Sequence, residues 1–126
     1  MCISGVPFQT AAFPSYNLSD FPDAPYRGIM VDTARTLVSP HQLLDAAQTA
    51  RFYKIRYLHL HMTDDHAWTF PSTAFPKLGT DNIGFRGRQP KVYTPAQLKQ
   101  VVAYADTRGV TIIPGTHTPP CKLRHT

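Results

Sequence analysis

Apolar residues along this chain fall into short continuous runs separated by stripes at helical spacing. Tyr26 to Asp32 (YRGIMVD) is predicted as a first strand, with Ile29, Met30 and Val31 as its buried run. Ser39-Pro40 then places an N-cap residue before a proline at the first helical position. Leu43, Leu44, Ala47 and Ala50 follow at helical spacing, and Phe52 is predicted to continue the apolar face. Ile55 to His61 forms the second predicted strand, with the β-branched and aromatic content that suits a pleated surface. Thr94-Pro95 repeats the helix-start signal. Leu98, Val101, Val102 and Tyr104 or Ala105 give that helix its apolar face, and Gly109 stops it. Val110 to Pro114 is the third strand. Strand, helix, strand, helix, strand implies parallel pairing through right-handed crossovers.

The predicted class is therefore α/β. Three strands with two helices leave sheet edges open and one face poorly covered. A closed (β/α)8 barrel needs about 250 residues, against 126 in this chain. The expectation is a partial (β/α)8 TIM barrel, its first three strands and two helices. Residues 1–24 read as an irregular lead-in, 25–114 as the partial barrel and 115–126 as a divergent tail. A long loop, from about Met62 to Val92, holds Pro71, Pro76, Gly79, Gly84 and Gly87.

Composition narrows the function classes. Thirteen Lys+Arg against eight Asp+Glu give +5, but the basic residues are scattered without a block, which gives nucleic acid no support as a partner. No stretch approaches the roughly 18 apolar residues of a membrane span, and the start lacks the basic n-region and apolar core of a signal peptide. Neither observation assigns a compartment. Cys2 and Cys121 are too few for a disulfide scaffold and wrongly spaced for zinc.

Candidate chemistry concentrates in His59-Leu-His-Met-Thr-Asp-Asp-His-Ala-Trp68, at the carboxyl end of the second strand and in its exit loop. In parallel α/β architectures that end carries the chemistry, and five ionisable groups within eight positions have no place in a core strand. Two readings of His59, His61, Asp64, Asp65 and His66 stay open at this point. They line a polar pocket, or they hold a metal as the histidine pair of an amidohydrolase-like barrel does. Against the metal, such barrels place the pair on their first strand, and here a strand and helix precede it. Each histidine also has a purely structural reading, as a hydrogen-bonded group at a strand end. Trp68 is either a stacking platform for a ligand ring or an ordinary aromatic beneath the loop. Arg35 is either a ligand-binding fork or the partner of Asp32 or Asp64 in a salt bridge. Arg27 and Gly28 are read as structural.

Four motifs occur in order: Tyr26-Arg-Gly-Ile-Met-Val-Asp-Thr-Ala-Arg35, His59-Leu-His-Met-Thr-Asp-Asp65, Tyr93-Thr-Pro-Ala-Gln97 and Tyr104-Ala-Asp-Thr-Arg-Gly-Val-Thr-Ile-Ile-Pro114. Together with Trp68-Thr-Phe-Pro-Ser-Thr-Ala-Phe-Pro-Lys-Leu-Gly79, they resemble the opening of the catalytic barrel of the glycoside hydrolase family 20 β-N-acetylhexosaminidases. The resemblance runs from about Ser19 to Pro114. It implies a substrate-assisted, retaining hydrolysis of terminal non-reducing N-acetylhexosamines, outside the two-carboxylate scheme. The implied partners are N-acetylhexosamine-terminated glycans, glycoconjugates or chitin oligosaccharides, with no cofactor and no metal. Family members are usually secreted or lysosomal.

By the same resemblance Arg35 matches the arginine that holds ring hydroxyls of the terminal sugar. Asp64 matches a supporting aspartate that pairs with a histidine after the third strand, and Asp65, His61 and His59 match pocket-lining or buttressing positions. The family's acid and acetamide-orienting residues are an adjacent Asp-Glu pair after the fourth strand, and no Asp-Glu dipeptide occurs in this sequence. After Pro114 the likeness departs from the family motif: Gly115 stands for its glutamate, His117 for its aspartate, Pro120 for its glycine and Cys121 for its histidine. Asp64 is thus left without a recognisable partner. The expectation is a truncated chain, inactive alone; the alternative is a non-catalytic remnant that binds sugar or a partner chain.

Overall fold

Both helices begin where the two hydroxyl-proline pairs stand. In the computed structural model, which describes residues 14–64, 67–80, 82 and 91–116, α1 spans Pro40–Phe52 and α2 spans Pro95–Asp106. Ser39 caps α1 through a reciprocal capping box with Gln42, and Thr94 caps α2 in the same way with Gln97. Each box satisfies two of the amide donors that a helix start leaves without intrahelical partners. Gly109 adopts φ +69° three residues beyond α2, a left-handed turn that glycine takes without strain.

The strands are β1 Gly28–Asp32, β2 Tyr57–His61 and β3 Thr111–Gly115, each slightly displaced from the sequence expectation. They form one sheet in the order β1-β2-β3, with both pairings parallel. The register aligns Ile29, Leu58 and Ile112, then Val31, Leu60 and Pro114, on one face. Alternation sends the rows Met30-His59-Ile113 and Asp32-His61-Gly115 to the other. Pro114 is tolerated because β3 is an edge strand of this sheet.

The helices cover only the first face. Leu43, Ala47 and Ala50 of α1 and Val101 and Ala105 of α2 pack with Leu58, Leu60, Met62, Tyr93 and Val110 into one buried cluster. Each large apolar side chain there stabilises the fold by roughly 1.5–3 kcal/mol relative to exposure.

Three sequence expectations are corrected here. Met30 is 60% exposed and belongs to no buried run, because it points from the bare face. Phe52 is 70% exposed at the end of α1 and does not continue the apolar stripe. Val102 is also exposed; Val101 and Ala105, with Leu98 and Tyr104 partly buried, form the packed side of α2. Arg27 has the structural role expected of it, with Nε donating to Lys54 O at 3.0 Å and Nη1 to Ala24 O at 2.8 Å. Neither helix is long and apolar enough to cross a membrane.

Candidate active site

The site forms where β1 and β2 end. Asp32, the last residue of β1, accepts the backbone N–H groups of Ala34 at 3.0 Å and Arg35 at 2.9 Å through Oδ1. This Asx-type turn reverses the chain and returns Arg35 towards the exit of β2. Arg35 Nε then donates to Asp64 Oδ2 at 2.9 Å and lies 3.8 Å from Asp32 Oδ2. The pair is asymmetric, with the Asp64 side chain 7% exposed and that of Arg35 61% exposed. A carboxylate that buried requires partners, and Asp64 has a second one, the Ala67 N–H at 2.9 Å on Oδ1. Arg35 meanwhile spends one of its five donors on Asp64, and among the described residues its terminal nitrogens make no hydrogen bond. Both structural readings of Arg35 are realised at once.

Behind this pair the return segment is pinned from several sides. Thr63 and Trp68 form an antiparallel bridge. Asn82 clips the Trp68 backbone, accepting its N–H at 2.7 Å and donating to its carbonyl at 3.0 Å. Gly79, at φ +85°, lies so close to the Trp68 carbonyl and Val92 that a Cβ would overlap both. Thr33 Oγ1 and Thr69 Oγ1 stand 3.2 Å apart, with His61 O 3.0 Å from the first and Met62 O 2.8 Å from the second, so the two hydroxyl hydrogens serve two of these three contacts at a time. Tyr93 OH donates to Val38 O at 2.6 Å from a buried position. Burial pushes its phenol up to about 12, opposed by the neighbouring Thr33 hydroxyl.

Of the residues singled out in the sequence, Arg35 and Asp64 are thus brought together. His61 ends β2 opposite Asp32 in the register, on the same end of the sheet. The missing partner expected for Asp64 is corrected: Arg35 and the Ala67 amide hold it. Trp68 is half-buried and its Nε1 donates to Phe70 O at 2.6 Å, which fixes the indole. His59 lies one row below, its imidazole against the Gly115 backbone where any Cβ would overlap it. Asp65 and His66 lie outside the described residues, as do Cys2, His117 and Cys121. Among the described residues no three His, Cys, Asp or Glu side chains gather as metal ligands. Sequence reasoning passed over Thr33, Thr69, Asn82 and Tyr93. Thr33, Thr69 and Tyr93 stand inside the family motifs, whereas Asn82 is marked only by an amide in a glycine-containing loop.

Three parallel strands with two crossover helices on one face have the form of a partial (β/α)8 barrel, with the arginine–carboxylate pair at its carboxyl end. Comparison with known proteins narrows this. The family model of the glycosyl hydrolase family 20 catalytic domain matches residues 24–123. A beta-hexosaminidase of Akkermansia muciniphila is 33% identical over 117 residues, covering 88% of this chain and 24% of its own length. Beta-hexosaminidase subunit beta of Mus musculus is 35% identical over 112 residues, covering 89% and 20%. Among solved structures, a Vibrio harveyi GH20 exo-β-N-acetylglucosaminidase in complex with N-acetylglucosamine superposes with TM-score 0.70 at 30% identity, over 75% of this chain and 17% of that one. The chain belongs to glycosyl hydrolase family 20, a family of glycosidases, and spans between a fifth and a quarter of the length of these two relatives.

Proposed function

We propose that this chain supplies the opening of the catalytic barrel of a β-N-acetylhexosaminidase, which removes terminal non-reducing N-acetylhexosamines from glycans by substrate-assisted retention. The observation that carries the reading is the Arg35–Asp64 pair: a buried aspartate orients an exposed guanidinium at the ends of two parallel strands. A planar fork held by one edge can donate two parallel hydrogen bonds to neighbouring ring hydroxyls. In this reading Arg35 binds the sugar and Asp64 supports it, while Asp65, His61 and Trp68 line the pocket. Residues 25–114 make up the barrel part, between a lead-in and a divergent tail.

The same reading makes these 126 residues inactive by themselves. In substrate-assisted hydrolysis the acetamido oxygen attacks the anomeric carbon, so the protein supplies a leaving-group acid and an acetamide-orienting carboxylate. The resemblance assigns these to an Asp-Glu pair, and all eight acidic residues of this sequence are aspartates. A positioned general acid is typically worth about 10²–10⁴-fold in rate. The test is an assay of the purified chain on a chromogenic N-acetylglucosaminide, beside a variant carrying Asp64→Asn and Asp65→Asn. Neither is expected to exceed buffer. Turnover that vanishes in the variant would overturn the inactivity and identify an acid within the chain.

A further inference from the structure

The opposite pole of the sheet carries a different chemistry. There α1 ends at Phe52, the turns into β2 and β3 meet, and an open groove of about 850 Å³ lies between them. Arg27, Arg51, Lys54, Arg56 and Arg108 line it, five of the chain's thirteen basic residues. Among the described residues no carboxylate lines it, and Asp20, which pairs with Lys54, is the one acid that reaches its cations in the described ion pairs. Two helices ending nearby each contribute about half a negative charge. Five cations against one carboxylate and two such helix ends leave about three positive charges unbalanced. Compensation of helix ends therefore does not account for the cluster.

Three of the guanidiniums are fixed by the fold. Arg27 Nε and Nη1 donate to the carbonyls of Lys54 and Ala24, Arg51 Nη1 donates to Arg108 O at 3.3 Å, and Arg108 donates from Nε to Gln48 Oε1 at 2.7 Å and from Nη1 to Tyr104 O at 3.3 Å and Thr107 Oγ1 at 2.8 Å, leaving its Nη2. Arg108 also stacks on Tyr104, its guanidinium carbon 3.3 Å from the ring centroid. Each keeps donors beyond those used, in a plane already fixed, which is the arrangement that favours oxyanions. The Arg56 guanidinium makes no hydrogen bond among the described residues, and its carbon lies 5.8 Å from the Tyr57 ring centroid. Lys54 holds φ +57°, a left-handed conformation that glycine adopts with less strain. Beside the cations stand Phe52 and Tyr53, 70% and 67% exposed and packed edge to face at 5.3 Å.

We propose that this groove is a second binding site, taking a short glycan through a sulfate or phosphate ester, with an aromatic face of Phe52 or Tyr53 against the sugar ring. An ester oxyanion meets the excess positive charge, and a pyranose face meets the exposed aromatic edge of the groove. The cations surround one local patch, whereas a nucleic-acid strand needs a basic track with successive stacking platforms. The strands between the two poles are five residues long, roughly 15 Å, so the groove is distinct from the Arg35–Asp64 pair. The inference does not rest on the hydrolase reading.

The test is an NMR titration of the ¹⁵N-labelled chain with N-acetylglucosamine 6-sulfate, N-acetylglucosamine 6-phosphate, inorganic sulfate, neutral N-acetylglucosamine and a single-stranded oligonucleotide. The esters are expected to shift amides from Arg51 to Arg56 and at Arg108 and Gly109 saturably, and the tighter ester identifies the source. The neutral sugar should leave those amides unmoved. A chain with Arg51→Gln and Arg56→Gln should bind about tenfold or more weakly, as expected when charge-assisted donors are lost. Arg56→Gln alone, which removes no internal hydrogen bond, should also weaken binding and guards against a misfolded double variant. Inorganic sulfate matching the esters, or the neutral sugar shifting the same amides, would overturn the proposal. So would an oligonucleotide that outcompetes both esters, absence of any ester-induced shift at millimolar concentration, or equal affinity in both variants.

Discussion

The two faces of the sheet differ more than any other two regions of the molecule. On the helix-covered face Leu58 and Leu60 are 0% and 1% exposed. On the other, Met30 is 60% exposed, although it sits between Ile29 and Val31 in the same strand. The apolar character of the three residues is alike, so the difference comes from what lies opposite. The covered face stabilises the chain. The bare face and the strand ends carry His59, His61, Asp32 and, just beyond them, Arg35 and Asp64. The barrel plan separates these tasks, because helices pack outside the sheet and ligands gather at its carboxyl end.

Substitution at equivalent positions breaks or sharpens that contrast. Leu58→Ala is expected to destabilise the chain by about 2–5 kcal/mol, the cost of a cavity in a packed core. Met30→Ala, on the neighbouring strand but the bare face, should stay within about 0.5 kcal/mol. Urea unfolding of the two variants measures both; similar losses would mean that the bare face is covered in solution.

The next effect is pH-dependent and belongs to the strand-end network. Tyr93 has its folded-state phenol raised to about 12 from 10. Above pH 10 the unfolded chain loses this proton while the folded chain keeps it, so the unfolded state is favoured as pH rises. The contribution is complete below pH 10 and is lost between pH 10 and 12, amounting to no more than about 3 kcal/mol. Tyr93→Phe should flatten that decline while costing about 1 kcal/mol at neutral pH for the lost hydrogen bond to Val38. Stability curves from pH 8 to 12 for both proteins separate these outcomes.

The smallest expected effect concerns the amino-end pole. Lys54→Gly relieves the left-handed backbone at φ +57° but gives up an exposed ion pair with Asp20 and adds unfolded-state entropy. A net gain of at most about 1 kcal/mol is expected in thermal unfolding. A clear loss would assign the side chain a larger structural role.

Much of the fold was legible because its signals are local. Ser39-Pro40 and Thr94-Pro95 announced both helices, and Gly109 announced the turn after α2, since caps and left-handed turns depend on nearby backbone alone. Met30, Phe52 and Val102 were misjudged because apolar character does not reveal which face finds a cover. At the candidate site, the family motifs pointed to Arg35 and Asp64 separately. Their salt bridge is one of the two partnerships the sequence offers Arg35, and it forms because β1 and β2 are adjacent and parallel. Thr33, Thr69 and Asn82 act through hydrogen bonds across 7 to 36 positions, which no local pattern records. The basic groove was invisible for the same reason: residues read as scattered along the sequence converge only once both crossovers return to one pole.

In the function proposed above, the strand-end site holds an N-acetylhexosamine through Arg35, positioned by Asp64. Trp68 is the sole tryptophan and sits in the segment hydrogen-bonded next to Asp64, so its fluorescence reports this site alone. Titration of the chain with N-acetylglucosamine should change Trp68 emission saturably. Arg35→Lys keeps a positive charge beside Asp64 but loses the planar fork, and it should weaken that response about tenfold with little change in stability. An emission unmoved by the sugar, or a response identical in wild type and Arg35→Lys, would contradict the claim.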